Sequence, residues 1–205
     1  MTIDRKFGLN PAASQRIYDD LNRPVDENSQ IPIIEAANKI EKLIYSDTLT
    51  DFENRRGLFR YKNNLKADQY PLTMISFDLD NLKKINDNPD PNLGGHAGGD
   101  RYILSFVKFV NELFPDNKKF RFGGDEFVVP IPNLDPKELE TIYQKLEVFN
   151  EKEQNPNRLQ FTYETSVASS SEDFYDALKR SDDKLVQAKK VKKTQQNLSS
   201  EYFNL

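Results

Sequence analysis

Two β-forming runs flank Gly123-Gly124-Asp125-Glu126: Phe120-Arg121-Phe122 before it and Phe127-Val128-Val129 after it. Aromatic and β-branched residues on both sides of a glycine turn specify a β-hairpin, so any fold of this chain must hold a tight antiparallel corner here. The corner carries two adjacent carboxylates. Glycine lets the backbone turn sharply and leaves no side chain in the way of a bulky ligand. Carboxylates beside such a gap suit Mg2+, a hard cation that prefers oxygen ligands and usually arrives with phosphates. Taken alone, Gly-Gly-Asp is equally an ordinary solvated turn.

A second acidic feature weighs against the solvated turn. Pro71 opens an apolar run, Leu72-Thr73-Met74-Ile75-Ser76-Phe77, that leads directly into Asp78-Leu79-Asp80. A carboxylate leaving the end of a buried strand is costly unless it is paired or bound to a metal. Alternation puts Asp78 and Asp80 on the same side. If this strand lies beside the hairpin, Asp78 and Asp125 meet around one cation, with Glu126 close enough to help. Asp80 has a simpler reading as the cap of a short turn at Asn81–Ile85.

The rest of the chain supplies helices. Ile33, Ala36, Ala37, Ile40, Leu43 and Ile44 follow helical spacing to about Tyr45, and a second helix starts near Asn54 and ends before Tyr70. Tyr102, Ile103, Phe106, Val107, Val110, Leu113 and Phe114 mark a helix over 101–114. Asp135-Pro136-Lys137-Glu138 is a helix start, residues 158–168 read as a strand, and Glu172 to about Lys190 as a final helix. The expected fold is α+β, a largely antiparallel sheet with helices on its faces. Residues 1–30 read as a flexible or loosely docked arm, 31–46 as a helix that packs on its own domain or on a second copy, 47–195 as the main domain and 196–205 as a tail.

Composition narrows the function classes. The chain of 205 residues is 37% hydrophobic with no cysteine, which excludes disulfides and thiolate metal sites. No apolar run approaches a membrane span and no signal-peptide core is present, so the expected compartment is the cytoplasm, with no membrane partner. A net charge of -4 argues against broad nucleic-acid binding. Basic residues nevertheless gather at Lys179, Arg180, Lys184, Lys189, Lys190, Lys192 and Lys193, which is either a solvated helix face or a seat for a polyanionic ligand.

Several separated segments together resemble one family, the GGDEF-domain nucleotidyl cyclases, most of whose characterised members are diguanylate cyclases. Asp47-Thr48-Leu49-Thr50 with Asn54-Arg55-Arg56 resembles the opening D-x-L-T-G-L-x-N-R-R motif. Residues Asp78 to Asp87 resemble D-x-D-x-F-K-x-x-N-D, and Gly95-His96-Ala97-Gly98-Gly99-Asp100 resembles G-H-x-x-G-D. RFGGDEF at 121–127 is the signature, and Ser181-Asp182 with Ala188-Lys189 resembles the closing A-D-x-A-L-Y-x-A-K-x-x-G-R-N.

The resemblance implies a polymerase-palm-like fold and condensation of two GTP into cyclic di-GMP with release of pyrophosphate. It implies a Mg2+ or Mn2+ site from Asp78, Asp125 and the Leu79 carbonyl, with Glu126 at the metal or the attacking hydroxyl. Gly123 and Gly124 let the nucleotide lie close to the hairpin. Asn86 and Asp100 match the guanine readers, a pairing that is chemically sensible because a carboxylate accepts from guanine N1–H and an amide donates to N3 or O6. Lys83, Lys189 and Lys193 match the triphosphate positions, Lys193 standing where the family usually has arginine. His96 reads as a structural, hydrogen-bonding residue. One domain holds one GTP, so catalysis implies a homodimer, and the N-terminal region could receive an upstream sensor protein.

The chain departs from the family in places. Residues 88–94 make the loop between Asn86 and Asp100 longer than usual, and it either bulges into solvent or shifts Asp100 and changes base choice. Thr162-Tyr163-Glu164-Thr165-Ser166 replaces a T-x-S-x-G strand, Asp51 replaces a glycine, and Lys192 and Thr194 replace the glycine and asparagine of the closing motif. These changes leave open a catalytically silent module and a cyclase of altered base specificity. The family's product-inhibition motif, R-x-x-D, falls at Phe114-Pro115-Asp116-Asn117, which lacks both residues. Calorimetric titration with cyclic di-GMP is therefore expected to show no tight binding there; strong heat lost on mutating 114–117 would overturn this.

Overall fold

The computed structural model describes residues 31–90, 94–152 and 159–202. The expected arm, residues 1–30, lies outside them. In chain order the elements are α1 (Ile31–Tyr45), β1 (Glu53–Asn54), α2 (Arg55–Asn64), β2 (Leu72–Leu79), α3 (Leu82–Asn86), α4 (Gly95–Leu113), β3 (Phe120–Arg121), β4 (Glu126–Pro132), α5 (Pro136–Lys152), β5 (Phe161–Ala168) and α6 (Phe174–Tyr202). The five strands form one sheet in the order β1-β3-β4-β2-β5. Only the short β1–β3 pair is parallel. The α+β expectation holds.

β2 sits at the centre because almost nothing in it needs water: all of Leu72–Phe77 is buried. Its odd positions Ile75, Phe77 and Leu79 pack with Phe106 and Val110 of α4 and Ile142 and Leu146 of α5. Its even positions Leu72 and Met74 pack with Leu58 of α2 and Phe174 and Ala177 of α6. Asp78 continues the even series and so emerges on the α2/α6 face.

Two helices differ from the sequence expectation. α4 starts at Gly95 rather than 101 and includes Gly98 and Gly99 as buried helical positions, the second with no room for a side chain against Asn86. The final helix does not end near Lys190 but runs to Tyr202, into the expected tail. Neither Gly nor Pro occurs between Phe174 and Leu205, so no stop signal interrupts it.

The basic residues of α6 do something the sequence did not announce. β5 is an edge strand, and a row of free carbonyls on an edge invites pairing with another chain. Arg180 donates to the Val167 carbonyl (2.8 Å), Lys184 to that of Thr165 (2.8 Å) and Lys192 to that of Phe161 (3.5 Å). Four helical residues rise about 6 Å and two strand residues about 6.6 Å, so cations spaced by multiples of four match alternate carbonyls.

Candidate active site

Pairing of β2 with β4 sets Asp78 directly opposite Glu126, and the Leu79 N–H donates to the Asp125 carbonyl at 2.9 Å. The hairpin therefore does bring Asp125 and Glu126 to the end of β2. The Asp78 side chain is only 18% exposed. Its buried Oδ1 is met only by the Lys189 ammonium, which lies against it as an ion pair. Burial pushes the Asp78 carboxyl above its ordinary range, Lys189 opposes the shift, and Asp125 and Asp80 add to it. Glu126 is raised too, first by burial and then by Asp125, Asp78 and Asp182, with Lys189 opposing.

A carboxyl raised on folding binds more protons in the folded state, so its ionised form destabilises the fold as pH rises above about 4, the ordinary glutamate range. Glu126→Gln is expected to raise the Tm of the metal-free protein at pH 7 by a few degrees. The gain should vanish on acidification, when Glu126 is itself protonated. A Tm unchanged or lowered at pH 7 would contradict this.

The two glycines divide their roles. A Cβ on Gly123 would stand 2.5 Å from Glu126 Oε2, so that glycine makes room for the carboxylate of its own hairpin. A Cβ on Gly124 would meet nothing within 4 Å, which leaves the turn open to a ligand. Arg121 fixes the turn: its guanidinium donates to the Gly124 carbonyl (2.6 and 3.2 Å) and to Asp47 Oδ1 (3.0 Å). The same Asp47 oxygen accepts from Thr50 N and Oγ1. Burial would raise the Asp47 carboxyl, but the Thr50 and Arg121 bonds outweigh it and hold it below the ordinary range.

Asp47→Asn is therefore expected to cost about 1–3 kcal/mol at pH 7, because it removes charge-assisted bonds and leaves Arg121 under-paired. A lowered carboxyl contributes stability above its unfolded value and loses it as pH falls through the folded value. The wild-type advantage in urea melts should thus shrink below about pH 4. An equal cost at pH 7 and pH 2 would refute the assignment.

Asn86 packs against the first turns of α4. A Cβ on Gly99 would fall 2.0 Å from Asn86 Oδ1, so the amide rests on the residue next to Asp100. On either side of the lengthened loop's centre, Gly94 N donates to the Asp90 carbonyl at 2.7 Å. Residues 91–93 lie outside those described. Asp100 and Lys83 are exposed at the mouth of the α3–α4 corner, and Lys193 is exposed one turn beyond Lys189. His96 differs from its reading: it stands exposed in the first turn of α4. Phe114, where the inhibition motif would begin with arginine, is a core residue at 2% exposure.

Asp80 does not cap a helix. Asn81 holds the cap position of α3, and the Asp80 carboxylate instead accepts from Thr162 Oγ1 (3.0 Å) and from Lys192 Nζ (2.5 Å). Tyr102, expected only as core, donates its hydroxyl to the Asp80 carbonyl at 2.9 Å, and burial pushes it up to about 12. Beside the hairpin a cleft of about 320 Å3 opens between α2 and α6, lined by Arg55, Phe59, Phe122, Glu126, Tyr175 and Asp182 among others.

The donors at the end of β2 are carboxylates, the hard oxygen ligands of divalent cations. Asp78 offers a buried carboxylate oxygen whose one partner is the Lys189 ammonium, and the neighbours are the hard oxygens Mg2+ takes. Among the described residues no three metal-binding side chains already converge. The set suits an ion that completes its shell with phosphate and water.

The family model for the GGDEF domain of diguanylate cyclases matches residues 44–195. The chain belongs to the GGDEF family. A diguanylate cyclase of Vibrio cholerae is 30% identical over 170 residues, which cover 77% of this chain and 50% of that protein. Escherichia coli DgcP, also a diguanylate cyclase, is 32% identical over 108 residues, half of this chain and 30% of that one. The GGDEF chain thus spans half or less of the curated relatives it matches. Among solved structures, a microbial GGDEF domain studied with cyclic di-GMP superposes with a TM-score of 0.57 at 26% identity, over 73% of this chain and 93% of that one. The coiled coil and GGDEF domain of Caulobacter crescentus DgcB superposes at 0.61 with 18% identity, over 87% and 95%, and shares the fold. No described helix of the GGDEF chain is long and apolar enough to cross a membrane.

Proposed function

We propose that this protein is a diguanylate cyclase, joining two GTP into cyclic di-GMP with release of pyrophosphate. The observation that carries the reading is the cross-strand placement of Asp78 against Glu126, with Asp125 at the adjoining turn and the buried Asp78 oxygen held by an exchangeable cation, Lys189. Asp78, Asp125, Glu126 and the Leu79 carbonyl would hold Mg2+ or Mn2+. Bound there, the ion supplies charge neutralisation for the phosphates and a lowered pKa for the attacking ribose 3′-hydroxyl.

The chain's own residues do the rest. Glu126, whose proton affinity is raised by burial and neighbouring carboxylates, is suited to accept a proton from that hydroxyl. Lys83, Lys189 and Lys193 surround the triphosphate, Lys189 exchanging Asp78 for phosphate. Asn86 and Asp100 read guanine, and adenine would leave them unpaired. Each domain holds one GTP, so two copies must face each other. The apolar stripe of α1 supports this: Ile40, Leu43 and Ile44 are only partly buried within one chain.

The test is incubation with GTP, ATP or both, with Mg2+ or Mn2+, and mass identification of products. A cyclic guanine dinucleotide is expected from dimeric protein. No product from a verified dimer would favour a silent nucleotide- or partner-binding module, whose structural argument is the Lys189 ammonium seated on Asp78. A product containing adenine would shift the reading to altered base choice.

A further inference from the structure

Two lysines of α6 meet two aspartates at the end of β2. Lys189 pairs with Asp78, and Lys192 pairs with Asp80 at 2.5 Å. The spacing permits both at once. Residues three apart on a helix lie on one face, about 4.5 Å along its axis, and alternate residues at a strand end lie about 6.6 Å apart. Lys192 also reaches the Phe161 carbonyl at 3.5 Å, and Thr162 completes the shell of Asp80. The Lys192 and Asp80 side chains are 37% and 13% exposed, so this pair is partly withdrawn from water and resists screening better than a surface bridge.

The pair exists because α6 continues past the point where a glycine would stop it. Were residue 192 a glycine, the helix would have a termination signal and Asp80 would lose its only cationic partner among the described residues. Asp80 would then be a buried carboxylate two residues from Asp78, competing for Lys189 or for the cation. Lys192 removes that competition. It also ends the series of contacts, begun by Arg180 and Lys184, that registers α6 on the edge of β5.

We propose that Lys192 is a positioning residue: by holding Asp80 it fixes the last part of α6 so that Lys189 stands over Asp78, where metal and triphosphate are to bind. This rests on the cyclase reading for its ligand, but its first test does not. In the protein without nucleotide, the rate of amine acetylation at Lys189, followed by mass spectrometry, reports whether that ammonium is held. Lys192→Ala is expected to speed labelling of Lys189 several-fold, and Lys192→Arg to restore the slow rate. Lys184→Ala removes a rung of the same series far from the site, so it controls for simple loosening of α6 and should leave Lys189 unchanged.

The second readout is equilibrium binding of GTP with Mg2+. Loss of a partner that orients a ligand-binding group typically weakens binding about 10–100-fold. That loss is expected for Lys192→Ala and for Asp80→Asn, but not for Lys184→Ala at matched folded fraction. Unchanged Lys189 labelling in Lys192→Ala, or equal effects of Lys192→Ala and Lys184→Ala, overturns the proposal. Wild-type protein that binds no GTP while the labelling contrast holds overturns the cyclase reading and leaves the positioning role supported.

Discussion

Asp78→Ala is expected to abolish formation of the cyclic dinucleotide, by at least about a thousandfold, while the protein stays folded. The size follows from what the position supplies. A metal site contributes several kcal/mol of charge stabilisation to phosphoryl chemistry, and each 1.36 kcal/mol is tenfold in rate. The Asp78 side chain is only 18% exposed, and its buried oxygen is met by a single cation, Lys189, that a metal can displace. Folding does not depend on it: its backbone pairing with Glu126 and Thr162 survives substitution, and burial already disfavours its charge. The Tm of Asp78→Ala should therefore stay within a few degrees of wild type. Product measured by mass at equal concentration of folded dimer decides the matter. Activity within tenfold of wild type would sink the metal-ligand assignment, whereas a large fall in Tm would show that Asp78 is structural.

Much of the site was legible because its residues are local in sequence or follow strand alternation. Asp125 and Glu126 lie in one hairpin, and Asp78 ends an apolar strand, so only the adjacency of two strands had to be supplied. What stayed hidden depends on long-range register. Lys192 meets Asp80 across 112 positions of chain, and nothing near either residue announces the partner. The same holds for Arg121, which joins Asp47 across 74 positions. The end of α6 is hidden for a different reason. A run of lysines looks like a frayed, solvated end, but with no glycine or proline to stop it the helix runs on to Tyr202, past the last carbonyl contact at Lys192. The sequence around Asp80 suggests a cap because caps are local. In the folded chain Thr162 and Lys192 outbid the local backbone for its carboxylate.

Phe77→Ala should cost about 3–5 kcal/mol, the usual loss for deleting a buried phenyl ring. Phe77 is fully buried in the central strand. Its ring lies 5.4 Å from that of Phe106, 5.7 Å from Phe161 and 6.3 Å from Phe114, each edge-on, so one deletion breaks several favourable aromatic contacts. The surrounding rings come from β5, α4 and the turn after it, all anchored by backbone bonds, so the cavity cannot collapse easily. Against a total of about 5–15 kcal/mol this loss leaves a marginal fold. At roughly 2–4 °C per kcal/mol for a chain of this size, the Tm should fall by about 10 °C. Leu104→Ala on α4, a side chain 43% exposed, is the comparison and should cost well under half as much. The functional consequence separates core from site. Phe77 points away from the face that carries Asp78, so product formed per folded molecule should stay near wild type even as the folded fraction drops. A Phe77→Ala protein that melts like wild type would mean that the sheet–α4 core is not the stabilising core. One that stays folded but makes no product would mean that Phe77 shapes the metal end of β2 directly.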